Sequence, residues 1–273
     1  MLFYKYHGLG NDYLVMKKEE LAEELTPQLI SRICHRNFGI GADGIVLCHI
    51  ENNIVKARIY NSDGSEAEIS GNGLRILSYS IVEKGWLKEN EFHIKTPFRT
   101  VYSKVDLIRQ EVTIDMGKPE FHSDKIPVKI SAEKALRQKY AFLDNEYTFS
   151  CVSIGNPHCV LIMDEKVTYE TVKKLGPVIE SAAIFPAKTN VQFVNVLSKD
   201  EIRIEIWERG SGYTLASGSS SCAAASVCRE LGYCGDKIHV KMPGGTIEIQ
   251  FDSNENIFMK GKVEKIAEGK LFL

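Results

Sequence analysis

The chain has 273 residues, of which 44% are hydrophobic and 26% are charged, and its formal net charge is −2. This is ordinary globular composition, with enough length for two domains or one large one. The near-neutral charge does not favour binding to nucleic acid or to an anionic membrane. No apolar run is long enough to span a membrane. The N-terminus lacks the pattern of a signal peptide, so we expect a cytoplasmic protein.

The cysteines favour reduced thiols over a disulfide framework. Their number is odd, no CxxC pair occurs, and a structural zinc site would need tighter ligand clusters. We therefore expect neither disulfides nor a metal site. The seven positions are Cys34, Cys48, Cys151, Cys159, Cys222, Cys228 and Cys234.

A glycine-rich motif, Gly39-Ile-Gly-Ala-Asp-Gly44, stands between a helix-like segment, residues 26–36, and a strand-like one, residues 45–50. A GxGxxG motif binds dinucleotides when it follows a strand and opens a helix. Here the order is reversed. The sequence therefore argues against dinucleotide binding.

An internal duplication is the most informative feature of the chain. Residues 55–73 and 202–220 align without a gap at an offset of 147. Shorter matches follow in the same order at nearly the same offset: Gly10-Asn11 with Gly155-Asn156, Lys95–Pro97 with Lys241–Pro243, and Gly117-Lys118 with Gly261-Lys262. A fixed offset of this kind is typical of repeated structural units. We predict two copies of one unit.

Each copy has the same predicted order of elements. An alternating strand, residues 55–60 or 202–207, leads through a polar turn into a helix, residues 74–85 or 222–232, that ends in glycine. Strand-like pieces then follow at 101–105, 111–116, 246–251 and 257–262. The pattern predicts an α+β fold of two pseudo-symmetric duplicated domains, each a curved, mostly antiparallel sheet around a helix. We expect domains at 1–118 and 119–263, with residues 264–273 returning to the first.

The two predicted turns, Ile69-Ser-Gly-Asn-Gly73 and Ala216-Ser-Gly-Ser-Ser220, each open a helix. Free N–H groups and the helix dipole favour an anion there, and each turn presents one serine, Ser70 or Ser217. Two equivalent groups suit inversion at a carbon, where one removes a proton and the other returns one. Either serine alone is more typical of a helix N-cap. No GxSxG motif supports a serine hydrolase, and no partner base is evident for either serine.

Several motifs, in order along nearly the whole chain, resemble those of diaminopimelate epimerases. They are His7–Tyr13, Gly39–Gly44, Asn61–Gly73, Gly155–His158, Thr189–Val191, Glu208–Gly212 and Met242–Gly245. The resemblance implies a homodimeric, cofactor-free isomerase that interconverts LL- and meso-diaminopimelate without pyridoxal phosphate, on the route to lysine. It also implies an active site in the cleft between the two domains.

Carried over residue by residue, the resemblance assigns roles to positions of this chain. The non-reacting end of the substrate would be held by Asn11, Asn61, Asn156, Asn190 and Arg209. The reacting carboxylate would be held by Gly71, Asn72, Gly218 and Ser219. His158 and Glu208 would tune or orient the acid–base pair at positions 70 and 217.

Four positions depart from the family pattern. The family has cysteine where this chain has Ser70 and Ser217, and serine keeps the shape but not the acidity of a thiol. We therefore expect the chain to be inactive or nearly so. Tyr213 stands where an acidic residue is usual, and Ser220 where glycine is usual. The resemblance places both at the reacting end or its support. These departures leave two alternatives open: a racemase of another amino acid, or a non-catalytic amino-acid-binding protein.

Overall fold

The computed structural model describes residues 1–21, 23–67 and 70–272. The chain divides into two compact units, Met1–Asp115 with Lys260–Leu273, and Met116–Met259. These limits lie a few residues from the expected boundaries at 118 and 264. Four α-helices occur in the described ranges, α1 (Pro27–Cys34), α2 (Gly71–Glu83), α3 (Tyr169–Glu180) and α4 (Gly218–Glu230). None of these four is both long and apolar enough to cross a membrane.

The first unit contains a sheet that wraps around α2. Its strands are β1 (Leu2–Gly8), β2 (Asn11–Lys17), β3 (Gly44–Glu51), β4 (Ile54–Asn61), β5 (Glu91–Lys95), β6 (Thr100–Asp106), β7 (Glu111–Asp115) and β17 (Glu264–Lys270). β17 pairs with β1, and the order from β1 then follows the chain to β7. Helix α2 packs against both β1 and β7, which lie far apart in that order. The sheet must therefore curve around the helix.

The second unit is built in the same way around α4. Its strands are β8 (Gln138–Phe142), β9 (Asn145–Ser153), β10 (Pro157–Ile162), β11 (Asn190–Val196), β12 (Glu201–Glu208), β13 (Gly212–Thr214), β14 (Lys237–Met242) and β15 (Gly245–Phe251), while β16 (Ile257–Lys262) runs across the division. Helix α4 packs against β9, β10, β11 and β15, among others.

The pairing senses confirm the duplication. From β1 to β6 the neighbouring pairs are antiparallel, parallel, antiparallel, parallel and antiparallel. The series β9, β10, β11, β12, β14, β15 repeats the same five senses in the same order. Identical alternation of parallel and antiparallel pairs in two sheets, together with a matching central helix, is a shared topology. The α+β fold with duplicated domains was predicted correctly.

The two central helices are buried on nearly all sides, which their sequences explain. Residues 71–81 of α2 and 218–228 of α4 are buried throughout. A helix without a polar face belongs in the interior of a fold. The serines within these helices remain compatible with burial because they hydrogen bond to carbonyls of the preceding turn, as Ser78 does to Leu74 and Ser226 to Cys222.

The glycine-rich motif has the predicted helix-before-strand order, with α1 on one side and β3 on the other. Its glycines have structural causes. A Cβ on Gly39 would lie 2.2 Å from the carbonyl oxygen of Arg32, and Gly41 has φ of +76°, in the left-handed region. The motif therefore packs a helix end against a turn.

The helix starts were predicted a few residues too late. Helix α2 begins at Gly71 and α4 at Gly218, so the glycine-rich turns form the first helical turn of each. Ile69, which opens the first predicted turn, lies outside the described residues. The sequence patterns did not reveal α3, which contains Pro177.

Candidate active-site residues

Ser70 and Ser217 occupy equivalent positions at the N-termini of the two central helices. Both have extended backbone conformations, and both side chains cap their helix. The backbone N–H of Gly73 donates to Ser70 Oγ at 3.1 Å, and that of Ser220 donates to Ser217 Oγ at 3.4 Å. Each hydroxyl thus accepts one of the helix's otherwise unpaired N–H groups. The N-cap interpretation of the two serines is confirmed by this geometry.

The first helical turns also suit a bound anion. Neither α2 nor α4 has an acidic residue in its first turn. Gly71, Gly218 and Ser219, which the family resemblance assigns to the reacting carboxylate, lie in these turns and are buried. No acidic side chain in the first turn neutralises the positive end of either helix dipole. The N-terminus of each helix therefore favours a bound carboxylate.

In the first unit, two of the three predicted asparagines lie together. Asn72 donates through Nδ2 to Asn11 Oδ1 at 2.9 Å, and Asn11 donates to Asp43 Oδ2 at 2.7 Å. The guanidinium of Arg75, fully buried in α2, donates to Asn72 Oδ1 at 2.7 Å. Asn61 ends β4 and donates instead to Ser65 Oγ at 3.0 Å. The sequence did not point to Asp43 or Arg75 as partners of these amides.

The second unit gathers most of its predicted residues around the start of β11. His158 pairs in register with Asn190, and its Nε2 lies 2.9 Å from Asn156 Oδ1. Asn190 donates to the carbonyl of Pro157 and accepts from the backbone N–H of Arg209 at 3.0 Å. Parallel pairing of β10 with β11 therefore brings three distant sequence motifs together.

His158 is held as a neutral imidazole. Its pKa is lowered from 6.5 to about 3, with burial as the main cause; a hydrogen bond with Gln192 opposes this shift, and the positive charge of Arg209 adds to it. Because an amide oxygen only accepts, the hydrogen bond between His158 and Asn156 Oδ1 is made by the tautomer that carries its proton on Nε2. The imidazole therefore orients Asn156 and does not act as a charged acid at neutral pH.

The loop that carries Glu208 and Arg209 is anchored by an acidic residue of α3. Glu180 accepts from Trp207 Nε1 at 2.8 Å and from the backbone N–H of Gly210 at 3.0 Å. These hydrogen bonds keep the pKa of its carboxyl below the ordinary value, although burial opposes them. Glu208 accepts from the Thr214 hydroxyl at 2.7 Å. Sequence reasoning missed Glu180, because α3 itself was not recognised.

The two departures near Ser217 are explained by side-chain partners. The Tyr213 hydroxyl donates to Glu205 Oε2 at 2.8 Å, and burial together with that carboxylate raises the pKa of Tyr213 to about 12. Ser220 Oγ accepts from the buried Gln192 amide at 3.0 Å. The Tyr213 hydroxyl thus meets a residue of strand β12. Ser220 does lie beside Ser217, because its backbone N–H donates to Ser217 Oγ.

Ser70 has a partner that the sequence did not reveal. The Tyr13 hydroxyl lies 3.1 Å from Ser70 Oγ. A signal was present in the duplication. Tyr13 aligns with His158 at an offset of 145, the same offset that relates Gly10-Asn11 to Gly155-Asn156.

A groove elsewhere in the first unit has a volume of about 930 Å³. Lys18, Lys56, Arg58, Tyr60 and Lys95 contribute to its lining, and none of the predicted site residues does. The candidate residues are thus defined by helix ends and hydrogen bonds, not by this groove. In the described ranges, no cluster of three or more His, Cys, Asp or Glu side chains could hold a metal ion.

Solved structures with this fold include several isomerases. A predicted epimerase from Pseudomonas aeruginosa superimposes with a TM-score of 0.70 at 15% identity, over 100% of this chain and 99% of that one. A hydroxyproline epimerase from Agrobacterium vitis also gives a TM-score of 0.70, at 12% identity, over 99% of this chain and 90% of that one. At these identities the likeness establishes the fold alone.

Sequence comparison identifies the family. The diaminopimelate epimerase family model matches residues 3–122 and 150–266. "Diaminopimelate epimerase 2" of Nostoc sp. is 49% identical, over 99% of this chain and 95% of that protein. "Diaminopimelate epimerase" of Carboxydothermus hydrogenoformans is 38% identical over the full length of both. The chain belongs to the diaminopimelate epimerase family.

Proposed function

We propose that this chain is a pyridoxal-independent amino-acid epimerase of the diaminopimelate type in which serine stands at both proton-transfer positions. Its substrate would be LL- or meso-diaminopimelate, in keeping with the names of its relatives. The observation that carries the proposal is the equivalence of Ser70 and Ser217, which cap the central helices of the two copies.

The chemistry explains why two equivalent positions are needed. Inversion at an α-carbon requires one group to remove the proton and another to return a proton from the opposite face. Without a cofactor to delocalise the carbanion, the growing charge on the carboxylate must be stabilised by donors that are already oriented. The N–H groups in the first turns of α2 and α4 supply such donors.

The far end of the substrate would be held by the amides and by Arg209. The planar guanidinium of Arg209 matches a carboxylate, and its backbone is tied to Asn190 through a 3.0 Å hydrogen bond. Neutral His158 fixes the direction in which Asn156 presents its amide. Asn11 and Asn72 are fixed against one another in the same way in the first unit.

Serine at positions 70 and 217 predicts binding with little or no turnover. A thiol has an ordinary pKa near 8.5 and is readily shifted to a thiolate, whereas a serine hydroxyl is far less acidic. Both hydroxyls already accept a helix N–H. A second candidate function, an amino-acid-binding protein without chemistry, is favoured by this capping role of both serines.

The decisive experiment restores a thiol at both positions with Ser70→Cys and Ser217→Cys. Solvent deuterium is followed into the α-position of diaminopimelate, and the isomer ratio is measured in parallel. We expect exchange to rise by roughly 10²- to 10⁴-fold over the unaltered chain, the range typical of a positioned acid or base. Ser80→Cys with Ser226→Cys is the matched control, because it adds two buried thiols to the same helices away from their N-termini.

The outcomes separate the candidate functions. Epimerisation in the double variant only would support a disabled epimerase. Binding of diaminopimelate to both chains without exchange in either would favour the binding protein. If neither isomer binds while another amino acid does, the substrate assignment is wrong. The homodimer and the cytoplasmic location stay predictions.

A further inference from the structure

We propose that Tyr13 is a positioning residue that sets the acidity of the side chain at position 70, through a hydrogen bond from its phenol. The inference rests on the proposed function, because it concerns the same proton-transfer position. It assigns to the first unit an ionisable partner for the cap residue of α2. In the second unit the repeat-equivalent position is held by His158, whose Nε2 lies against Asn156.

The contact is direct. Tyr13 OH lies 3.1 Å from Ser70 Oγ, and the same Oγ accepts the backbone N–H of Gly73, also at 3.1 Å. Tyr13 is 5% exposed, so the phenol makes this contact out of bulk water, where a hydrogen bond to a charged group is stronger. An anion at position 70 would accept from both groups and from the field of the helix N-terminus.

The direction of the hydrogen bond follows from chemistry. A phenol has an ordinary pKa near 10 and is a good donor, and an anionic oxygen or sulfur at position 70 could only accept. A donor that pairs with the charged form lowers the pKa of the group that it contacts. The contact therefore makes any acid at position 70 stronger.

The position of the phenol is fixed by Gly44. Tyr13 pairs in parallel register with Gly44, and a Cβ on that glycine would lie 2.6 Å from Tyr13 Cε1 and 2.2 Å from the carbonyl oxygen of Tyr60. Only glycine leaves room for the ring at this place. Gly44, the last glycine of the Gly39–Gly44 motif, therefore leaves space for the Tyr13 ring, whose hydroxyl contacts Ser70 Oγ.

The alternative is that Tyr13 merely satisfies its own buried hydroxyl. The two cases differ in one measurable property, the pH at which a thiol introduced at position 70 ionises. A structural phenol would leave that pH unchanged apart from any change in fold. A positioning phenol would lower it.

The test uses the full chain with Ser70→Cys, with and without Tyr13→Phe. Alkylation by iodoacetamide is measured between pH 5 and 10 by peptide mass spectrometry, which separates position 70 from the seven native cysteines. We expect Tyr13→Phe to raise the midpoint of the alkylation profile by about one pH unit, as the loss of one hydrogen bond to a charged group predicts. Ser217→Cys, with and without Tyr13→Phe, is the matched control and should not shift.

An unchanged midpoint at position 70 in a folded Tyr13→Phe chain would overturn the proposal, and so would an equal shift at position 217. If Tyr13→Phe does not fold, 3-fluorotyrosine is placed at position 13 instead. Its more acidic phenol is a stronger donor and should lower the midpoint; a midpoint that stays or rises contradicts the idea. Because thiol ionisation needs no substrate, this result is independent of whether diaminopimelate is epimerised.

Discussion

The buried imidazole of His158 makes the stability of the fold depend on pH in a defined window. Its pKa falls from 6.5 to about 3 on folding, with burial as the main cause. Between those values the unfolded chain binds a proton that the folded chain does not. Stability contributed by this group is therefore complete above pH 6.5 and is lost as the pH falls toward 3.

The size of the effect follows from the same two values. Each pH unit inside the window costs about 1.4 kcal/mol, and integration from pH 7 to pH 4 gives a loss of about 3 kcal/mol of the unfolding free energy. His158→Gln removes the titrating group and keeps an N–H donor for Asn156. The variant should be less stable at pH 7, but its loss of stability between pH 7 and pH 4 should be smaller by about 3 kcal/mol.

Urea unfolding at pH 4, 5, 6 and 7 measures this difference. His93→Gln serves as the control, because it makes the same substitution at an exposed position on β5. Equal pH dependence in the unaltered chain and in His158→Gln would show that His158 is not held neutral. The reasoning about Asn156 would then be wrong as well.

Two further predictions concern the support of the Arg209 loop. Gly176→Ala should destabilise the protein by about 1–3 kcal/mol, because the new Cβ would lie 2.6 Å from the Trp207 ring, although helix propensity alone predicts a gain. Gly235→Ala should be nearly neutral, because a Cβ there would meet only the carbonyl oxygen of Lys199, at 3.9 Å. A stabilising Gly176→Ala would contradict the packing argument. Glu180 accepts from Trp207, Gly210 and Lys188, so Glu180→Gln, which keeps one acceptor oxygen, leaves at least one of these three donors without an acceptor. The substitution should cost about 1–3 kcal/mol. Thermal melts check the cost, and hydrogen exchange at the Gly210 amide should quicken; unchanged exchange would show that the loop is anchored otherwise.

The sequence predicted those features of the protein that depend on local sequence patterns or that occur in both repeats. Neighbouring residues determine the alternating strands, the helix-before-strand order at Gly39–Gly44 and the serines at helix starts. The nearly constant offset between matching segments revealed the duplication. It did not predict contacts that join distant segments. Tyr13 meets Ser70, and Gln192 meets Ser220, only after β-strand pairing places them, and no spacing rule encodes such meetings.

The start of α3 shows a second limit. Its N-cap Thr168 is a regular signal, but Gly176 and Pro177 in the following turns weakened the helical pattern. The structure explains the glycine by the close approach of the Trp207 ring. Where a tertiary contact demands a poor helix former, local propensity misleads, and Glu180 was missed for that reason.

The hydrogen-bonded series from Arg75 through Asn72 and Asn11 to Asp43 has a polarity. It begins at a group that can only donate and ends, when Asp43 is ionised, at one that can only accept. If either amide group rotated by 180°, two hydrogen bonds would break. Its NH₂ group would then face a donor, and its oxygen would face an acceptor. The orientations of the Asn11 and Asn72 amides are therefore fixed by Arg75 at one end of the series and Asp43 at the other. A ligand that binds here meets amides that are already oriented in the folded protein. No rotational freedom remains to be lost at these two side chains when the ligand binds, which favours affinity.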